Sequence, residues 1–247
     1  MLTNQSFLGD LETAAAEPHS DQQCSAALRR VTDLFLAHAE RFSDQQIGVF
    51  DDVFSGLIAK ADASALAELS QRLAPFENAP RDIVRHLARN ESIAVAGPVL
   101  AQSARLTTGD LVDVAGTRSQ AHLLAISGRG RLGEFVTDAL LQHGEIEVIR
   151  CVAGNAGARL SEAGFSTLIR RAEHDERLAE AVGRRPDVPL QLFRQLLLRT
   201  SSPLQSRLLA QAPPDRQTEI RRLLSLISNV AGRPATDGRD DAAAERA

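Results

Sequence analysis

Residues 43–57 have the sequence SDQQIGVFDDVFSGL, which carries the clearest helix signal in the chain. Ser43 followed three residues later by Gln46 forms a capping box, in which the two side chains satisfy backbone N–H groups at the start of a helix. Ile47, Phe50 and Phe54 then recur at intervals of three and four residues, which is the spacing of one helical face. The segment therefore predicts an amphipathic helix that begins just after Ser43.

Similar helical patterns lie on both sides of this segment. The positions on these two faces are Leu28, Val31, Phe35, His38 and Phe42 before it, and Leu66, Leu69, Leu73 and Phe76 after it. Asn78-Ala79-Pro80 follows, and a proline ends one helix and opens another. Residues 1–78 carry a net charge of −7, against +4 for residues 79–231, and six of the nine Phe precede Pro80. We therefore predict an acidic, Phe-rich helical subdomain at residues 23–78.

After Pro80 the chain divides into short helical segments of about 10–14 residues, broken by Gly, Pro, Asn or Ser. Five segments end alike, with an apolar residue, a small residue and a polar or small exit, and these endings start at Leu87, Ile126, Val152, Val182 and Leu209. The starts lie 39, 26, 30 and 27 residues apart, which is typical of degenerate helical repeats. The predicted fold is all-α: an irregular α-solenoid of short helix pairs at residues 79–231, preceded by the N-terminal helical subdomain.

The two ends of the chain have a different composition. Residues 1–22 lack apolar periodicity, and residues 232–247, GRPATDGRDDAAAERA, are small and charged, so we predict disorder at both ends. Near the second end we expect a helix capped by Asp187, a helix capped by Ser202 and a final amphipathic helix. The apolar face of the final helix contains Ile220, Leu223, Leu224 and Ile227.

Composition argues against several classes of protein. The start, MLTNQS, has no basic segment and no apolar run of signal-peptide length, and no stretch reaches the roughly 20 apolar residues that span a bilayer. Cys24 and Cys151 are isolated, so neither a disulfide framework nor a zinc site is expected. We therefore expect a cytoplasmic protein.

Four segments resemble one bacterial family. They are LARNESIAVAGPVL at residues 87–100, SQAHLLAI at 119–126, AGNAGARLSEAG at 153–164 and RRPD at 184–187. In this order they are similar to the family known as domain of unknown function 2336, and the resemblance spans roughly residues 30–211. It implies a HEAT-like or variant-leucine-repeat-like helical protein, mostly from alphaproteobacteria, with residues 121–127 in a helix. It supplies no catalytic residue that can be carried over.

The segment Gly128-Arg129-Gly130-Arg131-Leu132-Gly133 matches the glycine spacing of a dinucleotide-binding loop. Such a site needs a strand before the loop, a helix and second strand after it, and an acid about 20 residues further on. Gly154-Asn155 occupies the place of that acid. A glycine-rich turn between helices is the favoured interpretation, and a nucleotide-sensing or enzymatic protein that uses Gly128–Gly133 is kept as an alternative.

Other candidates for chemistry have simpler structural interpretations. No two histidines have the spacing of a metal-binding helix motif, and His122, beside Ser119, is expected to cap or bridge helices. Asp51-Asp52 and the pair Asp110 and Asp113 are carboxylates of the kind that acid–base catalysis needs, but solvated helix ends usually explain such acids. We expect no catalytic residue, no metal and no cofactor.

The remaining candidate is a surface rich in arginine. Arg81, Arg85 and Arg89 recur every four residues and form one helix stripe. The full candidate interaction surface comprises Arg81, Arg85, Arg89, His122, Arg129, Arg131, Arg184 and Arg185. Such a stripe suits phosphates or an acidic protein surface. Interleaved acids and the absence of Trp and Tyr argue against nucleic acid.

These observations favour a non-enzymatic scaffold or regulatory adaptor that binds a protein partner, since helical repeats expose long rigid surfaces. A nucleic-acid-binding helical-repeat protein is the second alternative. Self-association through the Phe-rich N-terminal part is a further expectation, and no membrane contact is expected.

Overall fold

The computed structural model describes residues 20–211, together with residues 217–218, 221–222 and 225. The described chain is all-α and contains no strand, only one isolated parallel bridge between Leu132 and Ala158. Its helices are α1 (Asp21–His38), a 3-10 helix (Ala39–Arg41), α2 (Asp44–Ile58), α3 (Ala63–Leu73), α4 (Arg81–Ala88), α5 (Ile93–Gln102), α6 (Thr108–Thr117), α7 (Gln120–Ser127), α8 (Glu134–His143), α9 (Ile146–Gly154), α10 (Glu162–Ala172), α11 (Glu176–Gly183), α12 (Leu190–Arg199) and α13 (Ser202–Gln211). The predicted all-α class is confirmed.

The first three helices form around aromatic side chains. The predicted capping box is present, because Ser43 accepts from the Gln46 N–H and the Gln46 side chain accepts from the Ser43 N–H. Phe35 of α1 packs edge-on against Phe50 of α2 with ring centroids 5.0 Å apart, and both rings are fully buried. Edge-to-face contacts of this kind stabilise a pair beyond the area it buries.

From Arg81 onward the helices follow one another with a nearly constant period. The first helices of five successive pairs begin at Arg81, Thr108, Glu134, Glu162 and Leu190, which are 27, 26, 28 and 28 residues apart. We number these pairs 1 to 5, from α4–α5 to α12–α13. The period is more regular than the sequence predicted. The sequence had suggested an interval of 39 residues between the helix endings at Leu87 and Ile126. This interval is longer because Leu87 lies in the first helix of pair 1, whereas Ile126 lies in the second helix of pair 2.

The same positions are buried in each pair. In the first helix of all five pairs, and in the second helix of pairs 1 to 3, the third, fourth, seventh and eighth residues are buried. The residue two places before each first helix is also buried, and these are Ala79, Leu106, Leu132, Leu160 and Val188. Positions spaced in this way cover one side of a helix, so the buried residues of each of these helices form one face.

The chain forms two compact units, residues 1–171 and 172–247. Within the first unit α3, α5, α7 and α9 pack each on the next, while α2 packs on α4 and α6 on α8. The predicted boundary between residues 78 and 79 lies inside this unit, because helices on both sides of Pro80 pack together. The arrangement of the helix pairs as an irregular α-solenoid remains a prediction.

Several predicted ends differ from the structure. Residues 20–22 do not belong to a disordered end, because α1 begins at Asp21 and Ser20 caps it by accepting from the Gln23 N–H. Asp187 does not cap α12, which begins after Pro189, and instead pairs with Arg185. Ser202 is itself the first residue of α13. The other residues predicted to be disordered, and the apolar face of the final helix, lie outside the described residues.

Candidate functional site

Pair 2 is unusual because it places charged or ionisable residues at two positions that most other pairs fill with apolar side chains. The third residue of α6 is Asp110, where α4, α8 and α12 have Ile83, Val136 and Leu192. The third residue of α7 is His122, where the second helices of the other pairs have Val95, Val148, Leu178 and Leu204. Asp110 is 4% exposed and His122 is 1% exposed. Buried groups of this kind destabilise a fold unless they find partners.

Asp110 finds its partners in its own helix start and in pair 1. One carboxylate oxygen accepts from the Thr107 hydroxyl and N–H, at 2.6 and 3.0 Å, which completes the capping box of α6. The other accepts from Arg85 Nε at 2.8 Å and lies 3.4 Å from Arg89 Nη2. Burial opposes ionisation, but hydrogen bonds from Thr107 and Arg85 outweigh it and lower the pKa of Asp110 from 3.8 to about 2. The carboxylate therefore holds two arginines of the predicted stripe.

Asp113, one turn further along α6, accepts from Arg89 Nε at 3.0 Å. Asp110 and Asp113 are thus not a free carboxylate pair, because both hold arginines of pair 1. The predicted explanation, a solvated helix end, does not apply to Asp110, which is buried.

His122 links the turns of pairs 1 and 2. Its Nε2 lies 2.9 Å from the Asn90 carbonyl oxygen, and its Nδ1 lies 2.8 Å from Ser119 Oγ. Because a carbonyl oxygen only accepts, Nε2 donates, and in the neutral ring Nδ1 accepts from the Ser119 hydroxyl. The imidazole therefore bridges helices, as the sequence analysis expected, and it fixes the turn that follows Arg89.

The side chains held in this way border an open cleft of about 590 Å³. Its lining residues are Asp82, Arg85, His86, Arg89, Asn90, Glu91 and Arg118. Arg118, immediately after α6, was not in the predicted surface. Its Nε is buried and has no hydrogen-bond partner, and its guanidinium forms no ion pair within the described chain. The cleft therefore contains two arginines positioned by carboxylates and a third that pairs with no carboxylate of the described residues.

The other predicted surface residues divide into exposed and internal positions. Arg81, Arg131 and Arg184 are exposed, and Arg184 pairs with Glu180 at 2.7 Å. Arg185 is 6% exposed and forms two hydrogen bonds with Asp187. Of these residues, none lines the cleft.

Arg129 is used to close a helix end. Its Nη1 and Nη2 donate to the carbonyl oxygens of Leu100 and Ser103 at 2.6 and 2.7 Å, which satisfies carbonyls at the end of α5. Burial lowers the pKa of Arg129. Arg129, His122 and Arg185 are therefore engaged within the fold, and the prediction that they belong to an exposed interaction surface is wrong.

The glycine loop at residues 128–133 connects two helices. The apolar residues before it lie in α7 rather than in the strand that a dinucleotide site requires. The Leu132 N–H donates to the Gly157 carbonyl at 3.0 Å, and the Asn155 amide donates to the carbonyls of Ser127 and Arg129. These contacts hold the loop against the next interhelical loop.

Asp51 also has a structural partner. Its carboxylate accepts from the backbone N–H groups of Asp82 and Ile83, at 3.2 and 2.9 Å, and so caps α4, whose N-cap residue Pro80 has no side-chain acceptor. Burial raises the pKa of the Asp51 carboxyl, although these hydrogen bonds oppose the shift. Among the described residues no group of three or more His, Cys, Asp or Glu side chains is arranged to hold a metal ion.

The sequence contained a signal for Asp110 and His122 that periodicity alone did not reveal. Once the helix pairs are aligned on their starts, Asp110 and His122 are conspicuous because apolar side chains predominate at their positions. The pairing of Asp110 with Arg85 joins residues 25 apart, so it depends on the register of adjacent pairs.

The fold and the site define an all-α protein in which helix pairs recur along the chain. An arginine-lined cleft lies beside pairs 1 and 2. Residues 95–247 match the family model described as "Uncharacterised protein conserved in bacteria", domain of unknown function 2336. The match covers more than half of the 247 residues, and the chain belongs to this family. It begins later than the predicted resemblance, inside α5, and extends to the last residue.

Neither the curated proteins nor the solved structures gave a match. None of the helices in the described part of the chain has both the length and the apolar character needed to cross a membrane.

Proposed function

We propose that the protein is a non-enzymatic scaffold or regulatory adaptor that binds a partner protein at the cleft beside pairs 1 and 2. The observation that carries this proposal is the departure of pair 2 from the common pattern. Asp110 and His122 occupy core positions, and their partners Arg85, Arg89 and Asn90 all line the cleft. Positions at which a sequence departs from the residue pattern of its own fold are commonly functional sites.

The groups at the cleft suit recognition better than proton transfer. Arginine stays protonated at neutral pH, and its fixed N–H groups match oxygen acceptors. Asp110 has a pKa of about 2 and both of its oxygens accept hydrogen bonds, so it is a weak base. Both ring nitrogens of His122 are engaged. These side chains support a binding surface that is preorganised before a partner binds.

A protein partner fits the charges of the cleft better than a nucleic acid does. Asp82 and Glu91 lie at the cleft beside the arginines, and both are exposed. Carboxylates there repel a phosphate backbone, and base stacking would need aromatic side chains, whereas the cleft contains only His86. A partner segment that carries both acidic and basic side chains can pair with the arginines and with the carboxylates of the cleft.

The test is affinity purification of the tagged protein from cells that naturally produce it, with and without nuclease, followed by mass spectrometry. We expect a stoichiometric partner that resists nuclease. Arg118→Glu should remove it, and the matched control Arg170→Glu, on an exposed position of α10, should retain it. Recovery of the protein alone, or equal recovery of a partner with both variants, would contradict the proposal.

A further inference from the structure

Arg118 has an unusual environment for a guanidinium group. It follows the last residue of α6, and its backbone N–H closes that helix by donating to the Val114 carbonyl. Its Nε is buried without an acceptor, while the rest of the side chain borders the cleft and remains partly exposed. A buried donor without an acceptor destabilises the folded chain, and no carboxylate of the described residues compensates the charge of this guanidinium.

Arg85 provides further donors to the same cleft. Its Nε is committed to Asp110 at 2.8 Å, whereas its Nη1 forms an ion pair with Asp82 at 3.7 Å, which is too long for a hydrogen bond. Arg89 is engaged more fully, with Nε on Asp113 and Nη2 near Asp110. Arg118 and Arg85 therefore retain N–H groups that neighbouring carboxylates do not use.

We infer that the cleft is an oxyanion site that takes one carboxylate or phosphate group carried by a side chain of the partner protein. This inference rests on the proposed function and names the chemistry that the partner must present. Arg118 offers the N–H groups of its Nη atoms, which match the oxygens of an anion, and Arg85 adds a second cation.

Arg118 is the cleft arginine whose charge no carboxylate of the described residues pairs with, so one anionic group is enough to compensate it. Three arginines face the cleft, but Asp110 and Asp113 hold two of them, and Asp82 and Glu91 border the opening. A single oxyanion compensates the unpaired charge of Arg118, whereas the surrounding carboxylates would repel a polyanion. The site is therefore selective for an isolated anionic side chain.

The experiment is an NMR titration of the arginine Nε–Hε resonances of the full chain. The probes are inorganic phosphate and sodium acetate, and sodium chloride at matched ionic strength is the control. The Arg118 resonance is assigned by its loss in Arg118→Lys, a variant that keeps the charge but removes the guanidinium. We expect this resonance to shift saturably with phosphate or acetate and not with chloride.

Arg118→Lys should weaken binding of the probe about tenfold or more, which is the effect of losing a hydrogen bond to a charged group. Binding in this variant is followed on the Arg85 resonance. Arg159→Lys, on an exposed residue outside the cleft, should leave the affinity unchanged. Phosphate bound at least tenfold more tightly than acetate would identify a phosphorylated side chain, and similar affinities would identify a carboxylate.

Equal, unsaturated shifts of all arginine resonances, or an unchanged affinity in Arg118→Lys, would overturn the inference. Failure of the oxyanion inference can be distinguished from failure of the proposed adaptor function. A partner that co-purifies although the cleft binds no oxyanion would leave the adaptor intact and remove only the oxyanion site. Oxyanion binding without any protein partner would leave the site and remove the adaptor.

Discussion

At the scale of single residues, the carboxyl group of Asp110 links stability to pH. Its pKa is about 2 in the folded chain and 3.8 as the reference value, so the folded state binds the proton less tightly than the unfolded state. Ionised Asp110 therefore stabilises the fold fully above about pH 4, and this contribution is lost as the pH falls through about 2. The difference corresponds to about 2 kcal/mol.

We predict that Asp110→Asn lowers the free energy of unfolding by about 2 kcal/mol at pH 7, and that the gap to the wild type narrows as the pH falls from 4 to 2. Urea denaturation at a series of pH values measures this. Asp113→Asn is the control, because that side chain is half exposed and its ion pair should contribute less than about 1 kcal/mol. Parallel pH profiles for wild type and Asp110→Asn would show that the carboxylate is not coupled to folding.

His122 gives a second prediction at this scale. A leucine there restores the apolar character of the position but leaves the Asn90 carbonyl and the Ser119 hydroxyl without the imidazole. We predict that His122→Leu destabilises the chain by about 1–3 kcal/mol. Hydrogen exchange should also become faster at residues 90–92. The equivalent turn of pair 3, where the Glu145 N–H donates to Gln120, is an internal control. Unchanged exchange at residues 90–92 would mean that the imidazole does not hold the cleft.

At the scale of elements, the loop after α9 depends on close backbone contact. A side chain at Gly157 would overlap the carbonyl of Gly130, whereas one at Gly154, the exposed last residue of α9, would meet nothing within 4 Å. We predict that Gly157→Ala destabilises the chain by roughly 1–3 kcal/mol. Gly154→Ala should be neutral or stabilising by less than about 1 kcal/mol. Thermal unfolding of the two variants measures the contrast, and equal melting temperatures would refute the tight contact.

Local signals in the sequence explain why the helices were predictable while their pairing was not. Capping residues such as Ser43 and the spacing of apolar side chains act within one turn or two, so they mark helices directly. The register between pairs depends on contacts across about 27 residues. Leu87 and Ile126 have similar neighbours in sequence but belong to different helices of their pairs, and this hid the true period.

The candidate site was also predictable from the sequence only in part. The four-residue spacing of Arg81, Arg85 and Arg89 indicated one helix stripe, and the structure places the last two at the cleft. Arg118 was missed because its importance lies in a buried Nε and in its position beside another helix, neither of which a local pattern encodes. Arg129 is rich in donors but faces carbonyl groups inside the fold, and only tertiary structure reveals that.

At the scale of the whole molecule, the two compact units predict that the first is able to fold by itself. Residues 1–171 include the Phe-rich core, the cleft and pairs 1 to 3. A compact unit with its own core commonly folds independently. We predict that a chain ending at His174 unfolds cooperatively on heating, as followed by circular dichroism. It should also retain the phosphate-induced shift of Arg118. Gradual, non-cooperative melting would show that this unit needs the rest of the chain.

The pairing of Asp110 with arginines of the preceding pair has a consequence for how such a chain can be rearranged. Arg85 and Arg89 are the fifth and ninth positions counted from the start of α4, and the same positions counted from α8 are Asp138 and Gln142. If pair 2 were moved to follow pair 3, its buried carboxylate would meet a like charge, and an uncompensated buried charge costs several kcal/mol. The buried aspartate therefore makes pair 3 an unsuitable predecessor for pair 2, so these two pairs cannot be exchanged without loss of stability.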